Sequence, residues 1–115
     1  MKDKNTQSYE RLNDIKEAIH QIGVFIRDID KQAFLNHQLV ASAVLFQFSV
    51  IGEAIVHVNL DILEKYEYPW HKVRAFRNLI SHMYFQIKLD AVWDIIVNDL
   101  VELRQVIETI MKEEF

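Results

Sequence analysis

Residues 39–58 read Leu-Val-Ala-Ser-Ala-Val-Leu-Phe-Gln-Phe-Ser-Val-Ile-Gly-Glu-Ala-Ile-Val-His-Val, a run with no broad polar face at any regular period. A helix over about 37–58 is therefore apolar around most of its circumference. Such a helix belongs in the middle of a bundle or between two subunits. Length alone would let it cross a membrane. Gln47, Glu53 and His57 interrupt it, and the buried helix of a soluble protein explains the pattern better. The rest of the chain has to be arranged around this element.

The flanking segments are helical as well. From Tyr9 onward Leu12, Ile15, Ile19, Ile22, Ile26 and Ile29 recur at steps of three and four, with Ser8 as the expected N-cap. A polar interval over 28–36 breaks that stripe, leaving room for a short turn at Ala33, Phe34 and Leu35. Pro69 marks the start of a third helix reaching about Tyr84. A last helix begins near Leu89 or Asp90 and carries Val92, Ile96, Leu100, Leu103, Ile107 and Ile110 to the C-terminus. Half of the 115 residues are apolar, with only two Gly and one Pro, and no strand alternation is present. The expectation is one all-α domain over 1–115. It is an up-down bundle of four main helices with one short extra helix, and dimeric. The absence of Cys removes disulfides, thiolate metal sites and cysteine nucleophiles. The polar N-terminus has no signal-peptide core, which reads as cytoplasmic with no membrane partner.

Charge singles out one segment. Residues 65–88 hold five basic side chains (Lys65, Lys72, Arg74, Arg77, Lys88) against one acid, Glu67, net +4. The remainder holds eight basic and sixteen acidic side chains, net −8. An acidic protein with one basic, histidine-bearing stretch points to a local anion site rather than general nucleic-acid coating. Within that stretch, residues 77–84 read Arg-Asn-Leu-Ile-Ser-His-Met-Tyr. Arg77 offers a planar fork of donors to a phosphodiester, and His82 is the side chain best able to move protons near neutral pH. On a straight α-helix Arg77 and His82 are about 140° apart. They meet at one phosphate only if the helix ends near His82, the arginine reaches around, or a second copy completes the site.

Other polar residues have quieter explanations. Glu53 lies four residues from both Ser49 and His57, a stripe that reads first as an internal hydrogen-bonded pair. Its functional alternative is to orient Arg77 or His82 from behind. Gly52 suits close helix packing. His20, His37 and His71 have no partner at ligand spacing, and no metal is expected. Asp90 and Asp94 suit the first turn of the last helix. Trp70 and Trp93 suit a core or subunit interface, and Lys112, Glu113 and Glu114 a solvated end.

Taken in order, Ile51-Gly52-Glu53-Ala54, Pro69-Trp70, Arg77-Asn78-x3-His82-x-Tyr84, Val92-Trp93, Asp99-Leu100 and Leu103 resemble the HEPN superfamily. Within it the pattern is similar to the HepT-like branch, which is usually encoded beside a minimal nucleotidyltransferase. The resemblance covers essentially the whole chain, and the Arg-x4-His-x-Tyr spacing is its specific part. It implies an all-α homodimer and a metal-independent endoribonuclease, the toxin of a toxin–antitoxin pair, with RNA as substrate and no cofactor. It further implies Arg77 and His82 as the catalytic pair, with Asn78 as polar companion; from the residues themselves, Ser81, Glu53 and Arg74 are the supporting candidates. Tyr84 falls at the acceptor position for AMP added by the cognate nucleotidyltransferase antitoxin. Ser81 departs from the apolar residue that relatives often carry. A different reading makes the chain a non-catalytic nucleotide- or substrate-binding partner of a nucleotidyltransferase. Such a module needs Arg77 but not the imidazole of His82.

Overall fold

The computed structural model describes residues 3–79 and 88–115, and within them all regular structure is helical. Helix α1 (Lys4–Phe25) starts earlier than its apolar stripe suggests. Asp3 is the N-cap, its carboxylate accepting from the Thr6 N–H at 2.7 Å. That bond to the Thr6 amide holds the Asp3 carboxyl below its ordinary range. Ser8, expected as the cap, instead lies inside α1 and is buried. Its hydroxyl oxygen accepts from the Asn59 N–H at 2.9 Å and ties α1 to the far end of the next long helix. The first turn carries no apolar residue, so periodicity could not reveal it.

Leu12, Ile15 and Ile22 are fully buried, as the spacing predicts. Asp28 takes the left-handed conformation (φ 66°), which a short polar side chain tolerates, and turns the chain out of α1. Asp30 then caps α2 (Lys31–Leu35), where Phe34 is completely buried against the tilted ring of Trp93. The short helical turn around Ala33, Phe34 and Leu35 and the packing of Trp93 against the core follow the sequence expectation.

Helix α3 (Gln38–Ile55) is capped by His37, whose Nδ1 accepts from the Val40 N–H at 3.2 Å. It is long and apolar enough to cross a membrane, yet Ala41, Val44, Leu45, Phe48, Ile51, Ala54 and Ile55 are buried within the protein. Each large apolar side chain so buried contributes roughly 1.5–3 kcal/mol. The opposite side of α3 leaves Leu39 at 75 % and Phe46 at 58 % exposure, so the apolar circumference is only partly used within one chain.

A short helix α4 (Leu60–Leu63), not foreseen in the sequence, follows Asn59 and buries Ile62 and Leu63. Pro69 precedes α5 (Trp70–Ala75), and the Trp70 indole N–H donates to the Leu63 and Tyr66 carbonyls at 3.1 and 3.2 Å. Within the described part of the helix expected from Pro69 to about Tyr84, the α-helical path is not kept throughout. After Ala75 the path tightens into a 3₁₀ turn, Phe76–Asn78, and residues 80–87 lie outside the described segments. The last helix begins at Leu89 as predicted. It comprises α6 (Leu89–Asp94), a π turn (Ile95–Asp99) and α7 (Leu100–Glu114). Val92, Ile96, Leu100, Leu103, Ile107 and Ile110 are all buried.

The C-terminal end is not simply solvated. The Glu114 carboxylate accepts from Lys65 Nζ and from the Tyr66 hydroxyl, both at 2.9 Å, and Tyr66 also donates to Glu113 at 2.9 Å. Desolvation, followed by these acceptor bonds, pushes the Tyr66 hydroxyl above its ordinary range. The bond from Lys65 holds the Glu114 carboxyl below its own.

Candidate functional site

Arg77 sits in the middle of the 3₁₀ turn, and two contacts fix that turn against α3. Phe76 is buried with its ring edge-on to Phe48 at 5.0 Å between centroids. Gly52 lies directly beneath Arg77. A Cβ at position 52 would fall 2.4 Å from the Arg77 backbone nitrogen and 3.0 Å from its Cα. Only glycine allows this approach, which confirms the packing role expected for Gly52. The 3₁₀ turn also advances about 120° per residue rather than 100°, so straight α-helix geometry does not hold at Arg77 and Asn78.

With its backbone pinned, Arg77 leaves a half-exposed side chain. Its Nη1 lies 3.7 Å from Glu53 Oε2, and Glu53 Oε1 lies 3.3 Å from His57 Nε2. The Glu53–His57 pair exists as the spacing suggested, but at 62 % and 49 % side-chain exposure it is a surface pair and not an internal one. Ser49 stands apart from it, donating instead to the Phe46 carbonyl at 2.6 Å. Beside these groups an open groove of about 490 Å³ runs between α1 and α3, lined by Arg11, Asp14, Ser49, Val50, Glu53 and His57.

Arg11 and Asp14 were not foreseen. On α1 they look like two members of a solvated face, paired at 3.5 Å, and no local signal says that α3 brings Glu53 opposite them. Asn78 is exposed at the end of the 3₁₀ turn, and Arg74 is partly buried on α5 three residues before Arg77. His71 and Lys72 are exposed on α5. His82, Ser81 and Tyr84 lie outside the described residues. The structure therefore brings Arg77 and Glu53 together, with Asn78 exposed one residue further on, and leaves the other three motif positions to the sequence. Among the described residues no cluster of three or more His, Cys, Asp or Glu side chains is arranged to hold a metal.

This surface can present a fixed guanidinium to an anion at the mouth of a polar groove. The comparison that decides its family is with the model described as Ribonuclease HepT-like, which matches residues 15–110 and so includes the α3 wall of the groove and the 3₁₀ turn. The chain belongs to the HepT-like ribonuclease family. It is 32 % identical over 100 residues to a Methanocaldococcus jannaschii protein named "Putative RNase", covering 86 % of this chain and 92 % of that one. A second protein of the same name and organism is 32 % identical over 108 residues, covering 90 % and 89 %. A Thermococcus cleftensis protein named "Probable ribonuclease HepT" is 30 % identical over 102 residues, covering 88 % of this chain and 93 % of the relative. No solved structure matches the HepT-like chain.

Proposed function

We propose that this HepT-like chain is a metal-independent endoribonuclease, the toxin of a toxin–antitoxin pair, with Arg77 and His82 as its catalytic residues and Asn78 as their polar companion. The observation that carries the reading is the half-exposed Arg77 guanidinium on a pinned turn beside a polar groove. It stands in a family of ribonucleases, with His82 five residues on. The RNA supplies its own nucleophile. The 2′-oxygen attacks phosphorus, the bond to the 5′-oxygen breaks, and a 2′,3′-cyclic phosphate and a 5′-hydroxyl result. His82 takes the proton from the 2′-hydroxyl or returns one to the leaving oxygen, and two copies in a dimer divide these tasks. Arg77 holds the non-bridging oxygens as negative charge builds on them. Arg74 adds a second cation for the RNA backbone, and Ser81 a hydroxyl one residue before His82.

The assembly that suits this chemistry is a homodimer of up-down bundles. Each contains α1, α3, the segment 70–78 and the helix from 89 to 114 as its main members, and the exposed Leu39 and Phe46 of α3 meet the second copy. A cytoplasmic minimal nucleotidyltransferase acts as antitoxin. It transfers AMP from ATP to the Tyr84 phenol oxygen with release of pyrophosphate. The adduct places bulk and negative charge near Arg77 and repels RNA.

The decisive experiment incubates purified wild-type and His82→Ala protein with RNA and identifies the product ends. Cyclic phosphate ends from wild type, with a rate lower by roughly 10²–10⁴-fold in His82→Ala, support the reading. Equal cleavage by both overturns it. In the same preparations, light scattering that finds only the 13.7 kDa species overturns the dimer. Intact mass after incubation with the nucleotidyltransferase and ATP should rise by whole AMP units in wild type but not in Tyr84→Phe.

A further inference from the structure

Two consecutive residues of α3 address Arg77, one through its backbone and one through its side chain. Gly52 lets the Arg77 main chain lie directly on the helix, at a separation any Cβ would forbid. Glu53 then reaches the guanidinium with Oε2 at 3.7 Å, while its other oxygen is held by His57, one helical turn further on, at 3.3 Å. The carboxylate thus lies between an imidazole and a guanidinium, each taking one oxygen.

We propose that Glu53 is the positioning residue for Arg77, with His57 as the anchor that fixes the carboxylate. The proposal rests on the ribonuclease reading above and extends it to residues outside the Arg-x4-His-x-Tyr motif. A guanidinium has five N–H donors in a rigid plane. With Nη1 turned toward Glu53, one edge of that plane faces the carboxylate and the remaining donors are left for a phosphate. A flexible arginine side chain on a surface turn would otherwise sample many rotamers and pay to order one at each binding event.

Stability cannot be the purpose of this pair. Exposed ion pairs contribute little to folding, and at 3.7 Å the Arg77–Glu53 contact is longer than a hydrogen bond. Gly52 and the Phe76–Phe48 contact already secure the turn. What Glu53 adds is direction, so its removal should separate catalysis from stability.

The test compares Glu53→Gln, Glu53→Ala and Arg77→Lys with wild type in three measurements: RNA cleavage, thermal unfolding, and nitrogen-15 NMR of the Arg77 guanidinium. The expected result is a kcat lower by on the order of 10²-fold in Glu53→Ala. Glu53→Gln, which keeps an acceptor oxygen, should fall between it and wild type, with KM and melting temperature little changed in both. The Arg77 guanidinium signal should report slow rotation in wild type and faster rotation in Glu53→Ala. Wild-type kcat in Glu53→Ala, with Arg77→Lys slow, overturns the positioning role and leaves the ribonuclease reading intact. If Arg77→Lys is as fast as wild type, the catalytic role given to the Arg77 guanidinium fails. The NMR comparison then decides the positioning by itself, and an unchanged Arg77 signal in Glu53→Ala overturns it.

Discussion

Two clusters in this molecule are made of the same materials, a basic side chain and a carboxylate with one further polar group, and they are built to opposite standards. At the C-terminal end Lys65, Tyr66 and Glu114 are joined by bonds of 2.9 Å, and the Glu114 side chain is only 18 % exposed. At the groove Arg77, Glu53 and His57 stand 3.7 and 3.3 Å apart, with about half of each side chain or more in water (50 %, 62 % and 49 %). The first cluster has shifted proton affinities because the Tyr66 hydroxyl is desolvated and the donors are close, although Lys65 itself is 60 % exposed. The second keeps its cation available. Tight, shielded polar contacts fasten the chain; loose, open ones on a rigid backbone leave donors free for something that arrives from solution.

Four measurements test that contrast, beginning with the largest effect. Arg77→Ala should lower RNA cleavage by about 10²–10³-fold, the usual cost of removing a charge-stabilising donor. Its melting temperature should stay close to wild type, because the half-exposed side chain has little packing to lose. A large fall in stability would mean that Arg77 belongs with the fasteners.

Gly52→Ala should damage both properties. The new methyl group has to displace the Arg77 backbone, a strain of roughly 1–3 kcal/mol, or about 4–8 °C in melting temperature per kcal/mol for a domain near this size. Urea unfolding and cleavage rate measured on one preparation would check it. Unchanged stability would show that the 3₁₀ turn can move away from α3.

Tyr66→Phe reverses the Arg77→Ala pattern. Its hydroxyl donates to Glu113 and Glu114, so the melting temperature should fall by a few degrees while the cleavage rate stays at the wild-type value. A loss of activity at constant stability would join the C-terminal cluster to the site.

The smallest effect is one of pH. The Glu114 carboxyl is held below its ordinary 4.5 in the folded protein, so the unfolded chain binds the proton more readily. The stability from this group is full above pH 4.5 and is lost as pH falls through the lowered folded value. Tyr66 is raised above 10, so its contribution is full below pH 10 and fades as pH rises beyond that. The melting-temperature gap between wild type and Glu114→Gln should be flat between these limits and close on the acid side. A gap that widens with acid would contradict the assignment.

The apolar stripes were legible because burial imposes a period. Leu12, Ile15, Ile19 and Ile22, and the series from Val92 to Ile110, are buried where three- and four-residue steps place them. Helix ends were less legible. The cap of α1 was placed at Ser8 because the apolar signal begins at Tyr9, whereas an Asp3 carboxylate close to its own backbone amides sets the start. The 3₁₀ turn at Phe76–Asn78 and the π turn at Ile95–Asp99 had no local signature, since each is a compromise reached only when helices pack. At the groove, Arg77 and Glu53 could be singled out by residue type, and the structure sets them 3.7 Å apart. Arg11 and Asp14 were not, because a groove wall belongs to two helices and is written in neither. Glu113 and Glu114 looked like a solvated tail for a related reason: their partners lie almost fifty residues away.

The contact between Gly52 and Arg77 also has a genetic consequence. Every substitution of a glycine codon that alters the residue introduces a Cβ, and here any Cβ collides with main chain rather than with a movable side chain. Position 52 is therefore a target at which all missense changes point the same way, toward loss of the surface that holds Arg77. Under the proposed toxin activity, cells forced to express the chain without its antitoxin would escape through this codon as readily as through those of Arg77 and His82. A survivor screen would then map a residue with no chemistry of its own onto the same phenotype as the residues that carry it.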